Sequence, residues 1–351
     1  MCQWRVRPGA SRAGPTDRDA PARRAAFPAR PRLARVPTET RRLPVWVALG
    51  GAALIGVMTA VQARINGQLG VSLDDGFVAA LISFGSGLVI LAVISLALPS
   101  GRRGFRRLVS GVRDRRIPLW MLGGGVAGAL TVATQGLAVG LIGVALFTVG
   151  VVAGQTVCGL VLDRLGHGPS GVVAVTTGRV IGGLLALVAA GIALTGGAID
   201  APVWMLVLPF VAGVGIAWQQ ATNGRLRQRV GTPLTATLVN FIGGSLCLVI
   251  AAGVHVALVG APAALPTEPW LYVGGAMGVF YIFLSAALVV HTGVLLLGLA
   301  SVAGQLAASV VLDIIWPAPA GPGVGTALAM VAVALASVVV AAVPWRRRRA
   351  R

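Results

Sequence analysis

Two glutamines with matching surroundings are the residues of this chain whose chemistry is easiest to define. Gln155 ends the motif Val-Ala-Gly-Gln, Gln305 ends a second copy of it, and each stands eight residues before an aspartate, Asp163 or Asp313. A side-chain amide both donates and accepts hydrogen bonds, which suits the binding of a polar solute. In a helix each aspartate would lie about 12 Å from its glutamine. The other interpretation, that each glutamine only joins neighbouring helices, stays open.

Asp163 and Asp313 also have two interpretations. The first treats them as alternating gates or protonation sites. The second treats them as solvated carboxylates at helix C-termini, where the helix dipole is unfavourable and a partner is needed, such as Arg164 beside Asp163. Arg179 falls within an apolar run close to its end. We expect its side chain to reach the membrane surface, with an anion or a lipid headgroup as the alternative partner.

A second repeated motif has the pattern Gln-x-x-x-Asn-Gly. It begins at Gln62 and places Asn66 before a glycine, and it begins again at Gln219 and places Asn223 before a glycine. Because Asn and Gly tolerate the left-handed backbone conformation, we interpret Asn-Gly in both copies as the C-cap that ends a helix. The alternative is a cavity lined by the two glutamines.

Several kinds of catalytic and cofactor site are excluded by what the sequence lacks. All 29 basic residues are arginine, which excludes a phosphate-loop lysine and a Schiff-base lysine. Cys2, Cys158 and Cys247 are isolated in the sequence, which fits small buried side chains better than a metal or redox site. The sequence contains no His-Glu-x-x-His and no Gly-x-Ser-x-Gly motif. We therefore expect no catalytic residue, no metal and no cofactor.

The elements that position these residues are strongly apolar. Of the 351 residues 56% are hydrophobic and 11% are charged, and the mean hydropathy is +0.86. A soluble domain has about 25% charged residues, so this composition indicates an integral membrane protein. We predict an all-α fold with ten transmembrane helices, near residues 45–63, 77–98, 119–139, 142–162, 172–195, 203–222, 234–259, 270–290, 293–313 and 323–343. Tight turns at 140–143 and 291–293 separate two pairs of these spans.

The arginines are concentrated on one predicted side of the membrane. With ten spans, 27 of the 29 arginines lie on the side that carries both termini. Because arginine-rich loops stay in the cytoplasm, both termini are predicted to be cytoplasmic. Clustering at the ends of spans also argues against a nucleic-acid groove. Residues 1–43, rich in Arg and Pro, are predicted to be a disordered tail, and 346–351 a short basic tail.

The two halves of the chain, 44–195 and 202–345, are predicted to be repeats of five spans each. The Val-Ala-Gly-Gln and Val-Leu-Asp motifs recur at an offset of 150 residues, and the Gln-x-x-x-Asn-Gly motif recurs at an offset of 157. At the second offset Phe84 and Gly87 match Phe241 and Gly244. Because five is odd, the second repeat would enter the membrane from the opposite side. Inverted repeats of this kind are typical of secondary transporters.

This tandem of five-span halves resembles the drug/metabolite transporter superfamily and, within it, the bacterial YdcZ-like branch in a fused form. The motifs that carry the resemblance are Gln62 to Gly70, Val152 to Asp163 and their second copies, within about 44–345. The resemblance implies a ten-helix transporter of the bacterial cytoplasmic (inner) membrane. Four-span members of the superfamily are similar to proton-coupled exporters of cations that use a glutamate in the first helix. The first span here contains no acid, so exchange of a cation for a proton is not implied.

The function that fits these features is secondary transport: export of a small polar or cationic solute by alternating access between two inverted repeats. The candidate binding or gating residues are Gln155, Gln305, Asp163, Asp313, Gln62, Gln219, Asn66 and Asn223. The expected partners are the solute and the lipid bilayer, without nucleic acid, and a homodimer stays open. The alternative function is that of a lipid-handling or accessory membrane protein. An intramembrane enzyme is disfavoured by the missing motifs.

Overall fold

The computed structural model describes residues 44–168, 171–172, 175–195 and 202–342. Both predicted tails, 1–43 and 346–351, lie outside these residues. The described part of the chain is helical and contains no strand. Two 3₁₀ turns, Leu119–Leu122 and Pro269–Tyr272, precede α4 and α10, and a π-helical turn, Gln135–Val139, joins α4 to α5. The helices are α1 (Val45–Leu73), α2 (Gly76–Ala97), α3 (Pro99–Arg113), α4 (Gly124–Thr134), α5 (Gly140–Ile142), α6 (Val144–Arg164), α7 (Thr177–Thr195), α8 (Val203–Val230), α9 (Pro233–Val259), α10 (Gly274–Ile315) and α11 (Val324–Ala342).

Many of these helices are long and apolar enough to cross a membrane. Within the described ranges six segments meet that condition: Trp46–Leu73, Gly76–Ala97, Leu119–Ile142, Val144–Arg164, Pro233–Val259 and Val324–Ala341. Two shorter apolar helices are Thr177–Ile192 and Ala300–Ile315. A spanning helix needs about 20 apolar residues, so the chain is a multi-pass membrane protein, as its composition predicts.

Two helices extend beyond the ends predicted for them. α1 continues to Leu73 instead of stopping near residue 63, and α8 continues to Val230 instead of 222. The added turns are held by buried leucines, among them Leu69 and Leu226, which are both 0% exposed. Packing against neighbouring helices therefore outweighs the polar residues that mark an end in the sequence.

The segment 99–118, which lies between two of the predicted spans, contains the helix α3. The helix has a buried face and an exposed face that carries arginines. Gly101, Gly104, Leu108 and Gly111 are the buried ones. Small residues and one leucine at helical spacing give too weak an apolar signal to predict a helix from hydropathy, which is why the sequence reading missed it.

The long helix α10 does not run straight, although it is assigned as helix over all of its 42 residues. Near its start Gly274 packs on Asn66, since a Cβ at Gly274 would lie 2.4 Å from Asn66 Oδ1. Near its end Asp313 interacts electrostatically with Arg64, half a turn from Asn66. In a straight helix Gly274 and Asp313 would be about 58 Å apart. Both ends of the segment thus contact one stretch of α1, which favours a reversal of direction between these two residues.

The sequence predicts this reversal as a non-helical turn at 291–293, and the backbone shows no such break. A change of chain direction needs few non-helical residues. Between α5 and α6 only Gly143 is not helical, and its φ of 82° favours glycine. The count of ten spans stays a prediction.

An arginine-rich group and a smaller acidic group of residues of the described chain lie at opposite ends of the helical bundle. We call one end the basic end: it holds α3 and the C-terminal ends of α6 and α8, joined by the hydrogen bond from Arg225 to the carbonyl of Gly166. We call the other the acidic end: it holds Asp74, Asp75 and Glu268. There His255 Nδ1 lies 3.1 Å from Asp75 Oδ2.

Candidate functional site

The first copy of the Gln-x-x-x-Asn-Gly motif lies inside α1 and is buried against other helices. Gln62 Nε2 donates a hydrogen bond to the carbonyl oxygen of Gly274 at 2.7 Å, and Asn66 Nδ2 donates to Gln135 Oε1 at 2.7 Å. Gln62 is 7% exposed and Asn66 is 0% exposed. Both amides therefore join helices, and neither lines an open cavity in this conformation.

The second copy of the motif lies inside α8 and makes related contacts. Gln219 Nε2 and Asn223 Nδ2 both donate to Asn240 Oδ1 on α9, at 2.9 and 3.2 Å. Gly124, at the start of α4, packs closely on this pair, because a Cβ there would lie 2.5 Å from Asn223 Oδ1. This cluster also joins helices.

The interpretation of Asn66 and Asn223 as C-caps is wrong, because both lie within continuous helices. The left-handed residues that end α1 and α8 are Asp74, with φ 50°, and Gly231, with φ 79°. Sequence reasoning also missed the acceptors of these amides. Gln135 is a polar residue in an apolar run, and this unusual position is the signal that could have found it.

A pair of phenylalanines marks the contact between the two halves of the chain. The rings of Phe84 and Phe241 stack with their centroids 4.8 Å apart. Each ring lies over the other half's matching glycine: a Cβ at Gly87 would be 2.4 Å from the ring of Phe241, and a Cβ at Gly244 would be 2.3 Å from the ring of Phe84. The glycines at these positions permit the close approach.

Gln155, Gly159 and Asp163 are spaced by four residues and lie along one side of α6, which we call the α6 stripe. Gln155 Nε2 donates to Gln220 Oε1 on α8 at 3.2 Å. A Cβ at Gly159 would meet no atom within 4 Å. Asp163 forms an ion pair with Arg179 of α7, and the two side chains are 29% and 28% exposed. The stripe is therefore partly open along its length.

The partners in the α6 stripe differ from those predicted. Asp163 pairs with Arg179 and not with Arg164. The side chain of Arg179 therefore binds this carboxylate, whereas the sequence predicts that it would reach the membrane surface. The ion pair compensates two charges that would each be costly near an apolar span. Gln220, adjacent to a predicted site residue, was not singled out from sequence.

The matching residues of α10, which we call the α10 stripe, are Gln305, Ser309 and Asp313. Ser309 is 0% exposed. The carboxylate of Asp313 accepts hydrogen bonds from the backbone N–H groups of Val144 and Ala145, at 2.8 and 2.7 Å. A carboxylate is favourable at this helix N-terminus, so Asp313 caps α6 and is not simply solvated.

The two stripes belong to helical segments with different burial. Every residue of α6 from Val144 to Gly154 is buried, and none from Gln155 to Arg164 is buried. The matching part of α10 is mixed: Leu306 and Val310 are buried, Gln305 and Asp313 are partly exposed, and Val311 is 53% exposed. The α6 stripe lies in the half of α6 that ends at the basic end of the bundle.

No group of three or more His, Cys, Asp or Glu side chains that could hold a metal ion occurs among the described residues. The described cysteines, Cys158 and Cys247, are free thiols. The chemistry available at the α6 stripe is therefore hydrogen bonding by amides and the charge of one ion pair.

Comparison with known proteins assigns the chain to a family. No curated protein matches it. Among solved structures, one crystal structure has a TM-score of 0.42 and 16% sequence identity, over 83% of this chain and 96% of that one. The sequence profile of the YdcZ family of proposed inner membrane exporters matches the chain twice, at residues 42–194 and 204–339. The chain therefore belongs to the YdcZ family, in a form that carries the family's sequence pattern in tandem.

Proposed function

We propose that the chain is a secondary transporter that exports a small polar solute by alternating access between two inverted repeats. The observation that carries this proposal is the different burial of the middle residues of the two stripes, since Gly159 is partly exposed and Ser309 is 0% exposed. In alternating access one side of the binding region is open while the other side is closed, and inverted repeats supply the two sides. The partly exposed middle of the α6 stripe and the buried middle of the α10 stripe fit one such state.

The helix contacts support an inverted repeat. α1 crosses α10 through Gly56, whose Cβ would lie 1.8 Å from the carbonyl oxygen of Ser301. α8 crosses α6 in the same way through Gly213, whose Cβ would lie 2.1 Å from the carbonyl oxygen of Val151. Gly213 follows Gly56 by 157 residues and Val151 precedes Ser301 by 150, which are the two offsets of the sequence repeats. The same crossing is thus built twice from matching residues.

The α6 stripe offers a solute amide groups rather than a free charge. Gln155 and Gln220 can each donate and accept, and their mutual hydrogen bond of 3.2 Å is long and exposed, so a solute could replace it. Asp163 is neutralised by Arg179. This arrangement favours a polar solute over a cation. The proposed solute class is therefore narrower than the polar or cationic class expected from sequence.

The orientation follows from the charges at the two ends. Arginine-rich segments stay on the cytoplasmic side, so we assign the basic end to the cytoplasm. The conformation is then open to the cytoplasm, which is the state that loads an exporter. Release on the other side would require Asp313 to leave the N-terminus of α6.

Labelling of matched cysteines tests this proposal without knowledge of the solute. Gly159→Cys and Ser309→Cys occupy equivalent places in the two stripes, in a background in which the three native cysteines are alanine. A maleimide that cannot cross membranes should label Gly159→Cys in inside-out vesicles at least tenfold faster than Ser309→Cys. The reason is that water reaches the first position and the second is packed.

Two results would contradict the proposal. If Gly159→Cys is not labelled from either side, the α6 stripe faces lipid and not a water-filled pathway. If both cysteines react at the same rate, the stripes do not differ in access. The folding control is the melting temperature of each variant in detergent, which should stay near that of the cysteine-free chain.

A further inference from the structure

The helix α3 packs on the basic end of the bundle. Its buried face is made of three glycines and Leu108. A Cβ at Gly104 would lie 2.1 Å from Thr235 Oγ1 of α9, so no larger residue fits there. Leu108 belongs to a buried apolar cluster with Leu226 and Val230 of α8. α3 is therefore held by the protein itself, at a fixed place beside the end of α8.

The outer side of α3 has the composition of a helix at a membrane surface. Phe105 is 45% exposed and Val109 is 51% exposed, and they lie one turn apart on one edge. Arginines occupy the rest of the exposed arc, at positions 102, 103, 106, 107 and 113. An apolar edge beside a basic arc is typical of helices that lie among lipid headgroups.

A cleft of about 250 Å³ opens between α3 and the end of α8. Its polar lining is Arg107, Ser110, Asp114, Arg116 and Arg229. Three guanidinium groups thus face one carboxylate. The contact of Arg116 with Asp114 is long, 4.0 Å, and the two side chains are 78% and 50% exposed. Such a pair contributes little, so the cleft keeps an excess of positive charge.

The position of Arg107 is defined by the backbone. Its guanidinium lies over Gly231, where a Cβ would be only 2.4 Å from Arg107 Nη1. Gly231 has a φ of 79°, which favours glycine, and it follows Arg229 by two residues. The turn between α8 and α9 thus leaves room for Arg107 to reach across from α3 into the same cleft as Arg229.

We propose that this cleft binds a phosphate group. Guanidinium groups bind phosphate oxygens through paired hydrogen bonds, and Ser110 adds a hydroxyl donor. Basic pockets at the cytoplasmic ends of membrane helices suit the headgroups of anionic lipids. The same chemistry would hold free inorganic phosphate, so the two sources of the group must be separated by experiment.

The experiment uses the full chain in lipid nanodiscs and measures its melting temperature. One arm adds inorganic phosphate to discs of phosphatidylcholine, with chloride at equal ionic strength as the reference. The other arm replaces part of the phosphatidylcholine with phosphatidylglycerol. A ligand that binds the native state raises the melting temperature by mass action. We expect a rise in at least one arm, and at least a tenfold loss of apparent affinity in the double variant Arg107→Gln, Arg229→Gln.

The matched control is Arg102→Gln, Arg103→Gln, which removes the same charge from exposed positions of α3 outside the cleft. A rise with phosphate that only the cleft variant loses identifies a site for a free anion. A rise with phosphatidylglycerol alone, lost in the same variant, identifies a headgroup site. The proposal is overturned if neither arm raises the melting temperature, or if the control loses the rise equally. Arg116→Gln, at an exposed position, repeats the test should the double variant fold poorly.

Discussion

Amide side chains of the same type have two different roles in this chain, set by their surroundings. Gln62 is buried and donates to a backbone carbonyl at 2.7 Å, whereas Gln155 is partly exposed and its bond to Gln220 is 3.2 Å long. A short hydrogen bond in a packed interface stabilises the fold. A long one in an open region is available for exchange with a solute. Gln62 and Gln219 therefore join helices, and Gln155 is the candidate for binding a solute.

This division predicts opposite effects of the same substitution. Gln62→Leu removes the hydrogen bond to Gly274 from a buried position, and it should lower the free energy of unfolding by about 1 kcal/mol. Gln155→Leu should leave that free energy nearly unchanged. The measurement is unfolding of the purified chain in detergent, followed by circular dichroism. Equal losses in the two variants would show that Gln155 also only joins helices.

At the residue scale, the sequence identifies the side chains that form hydrogen bonds between helices more readily than it identifies their acceptors. The repetition of Gln62 and Asn66 at an offset of 157 predicts a shared role, and both copies form hydrogen bonds between helices, the first buried and the second partly buried. The C-cap interpretation is wrong because a local preference for turns is overridden by packing beyond Asn66. Gln135 as the acceptor for Asn66 could not be predicted, since a hydrogen-bond partner 69 residues away depends on which helices are neighbours.

At the scale of elements, the apolar runs predict where helices lie and leave their ends and directions uncertain. α2 and α9 match their predicted spans within a few residues, because their runs are uninterrupted. α3 was missed because its buried face consists mainly of glycine. For α10 the sequence predicts a reversal at a non-helical turn, whereas the backbone is helical throughout. The reversal is favoured by contacts that place both ends of α10 near one part of α1.

Adjacent glycines of α9 provide a test of how closely the two halves pack. A Cβ at Gly244 would lie 2.3 Å from the ring of Phe84, whereas a Cβ at Gly243 would meet its nearest atoms at 3.7 Å. We expect Gly244→Ala to lower the free energy of unfolding by about 1–2 kcal/mol, since overpacking outweighs the gain in helix propensity. Gly243→Ala should cost nothing or stabilise slightly. Melting temperatures of the two variants in one detergent give the comparison, and a smaller loss for Gly244→Ala than for Gly243→Ala would refute the packing.

At the scale of the whole molecule, charge separation and repeated contacts fit one arrangement. The arginines of α3 and of the end of α8 lie at the basic end, and Asp75 and Glu268 lie at the acidic end. Matching crossings of α1 with α10 and of α8 with α6 relate the halves. An odd number of crossings in each half would explain both features, because it places equivalent helices in opposite orientations.

The direction of α10 decides whether this arrangement is correct, and it can be tested from outside the cell. Glu268 precedes α10 and Gly323 follows it, and both are exposed. A Cβ at Gly323 would meet no atom within 4 Å, so a cysteine there is tolerated. If α10 reverses, Glu268→Cys and Gly323→Cys lie on the same side of the membrane. A single crossing by α10 would place them on opposite sides.

We expect a membrane-impermeant maleimide to label both cysteines in intact cells. The matched control is Asp114→Cys at the basic end, which should react only after the cells are permeabilised. Each cysteine is introduced alone into the cysteine-free background, and labelling is read as a mass shift of the purified chain. If Gly323→Cys behaves like Asp114→Cys, α10 crosses the membrane once, the two halves are not inverted, and alternating access between them loses its structural basis.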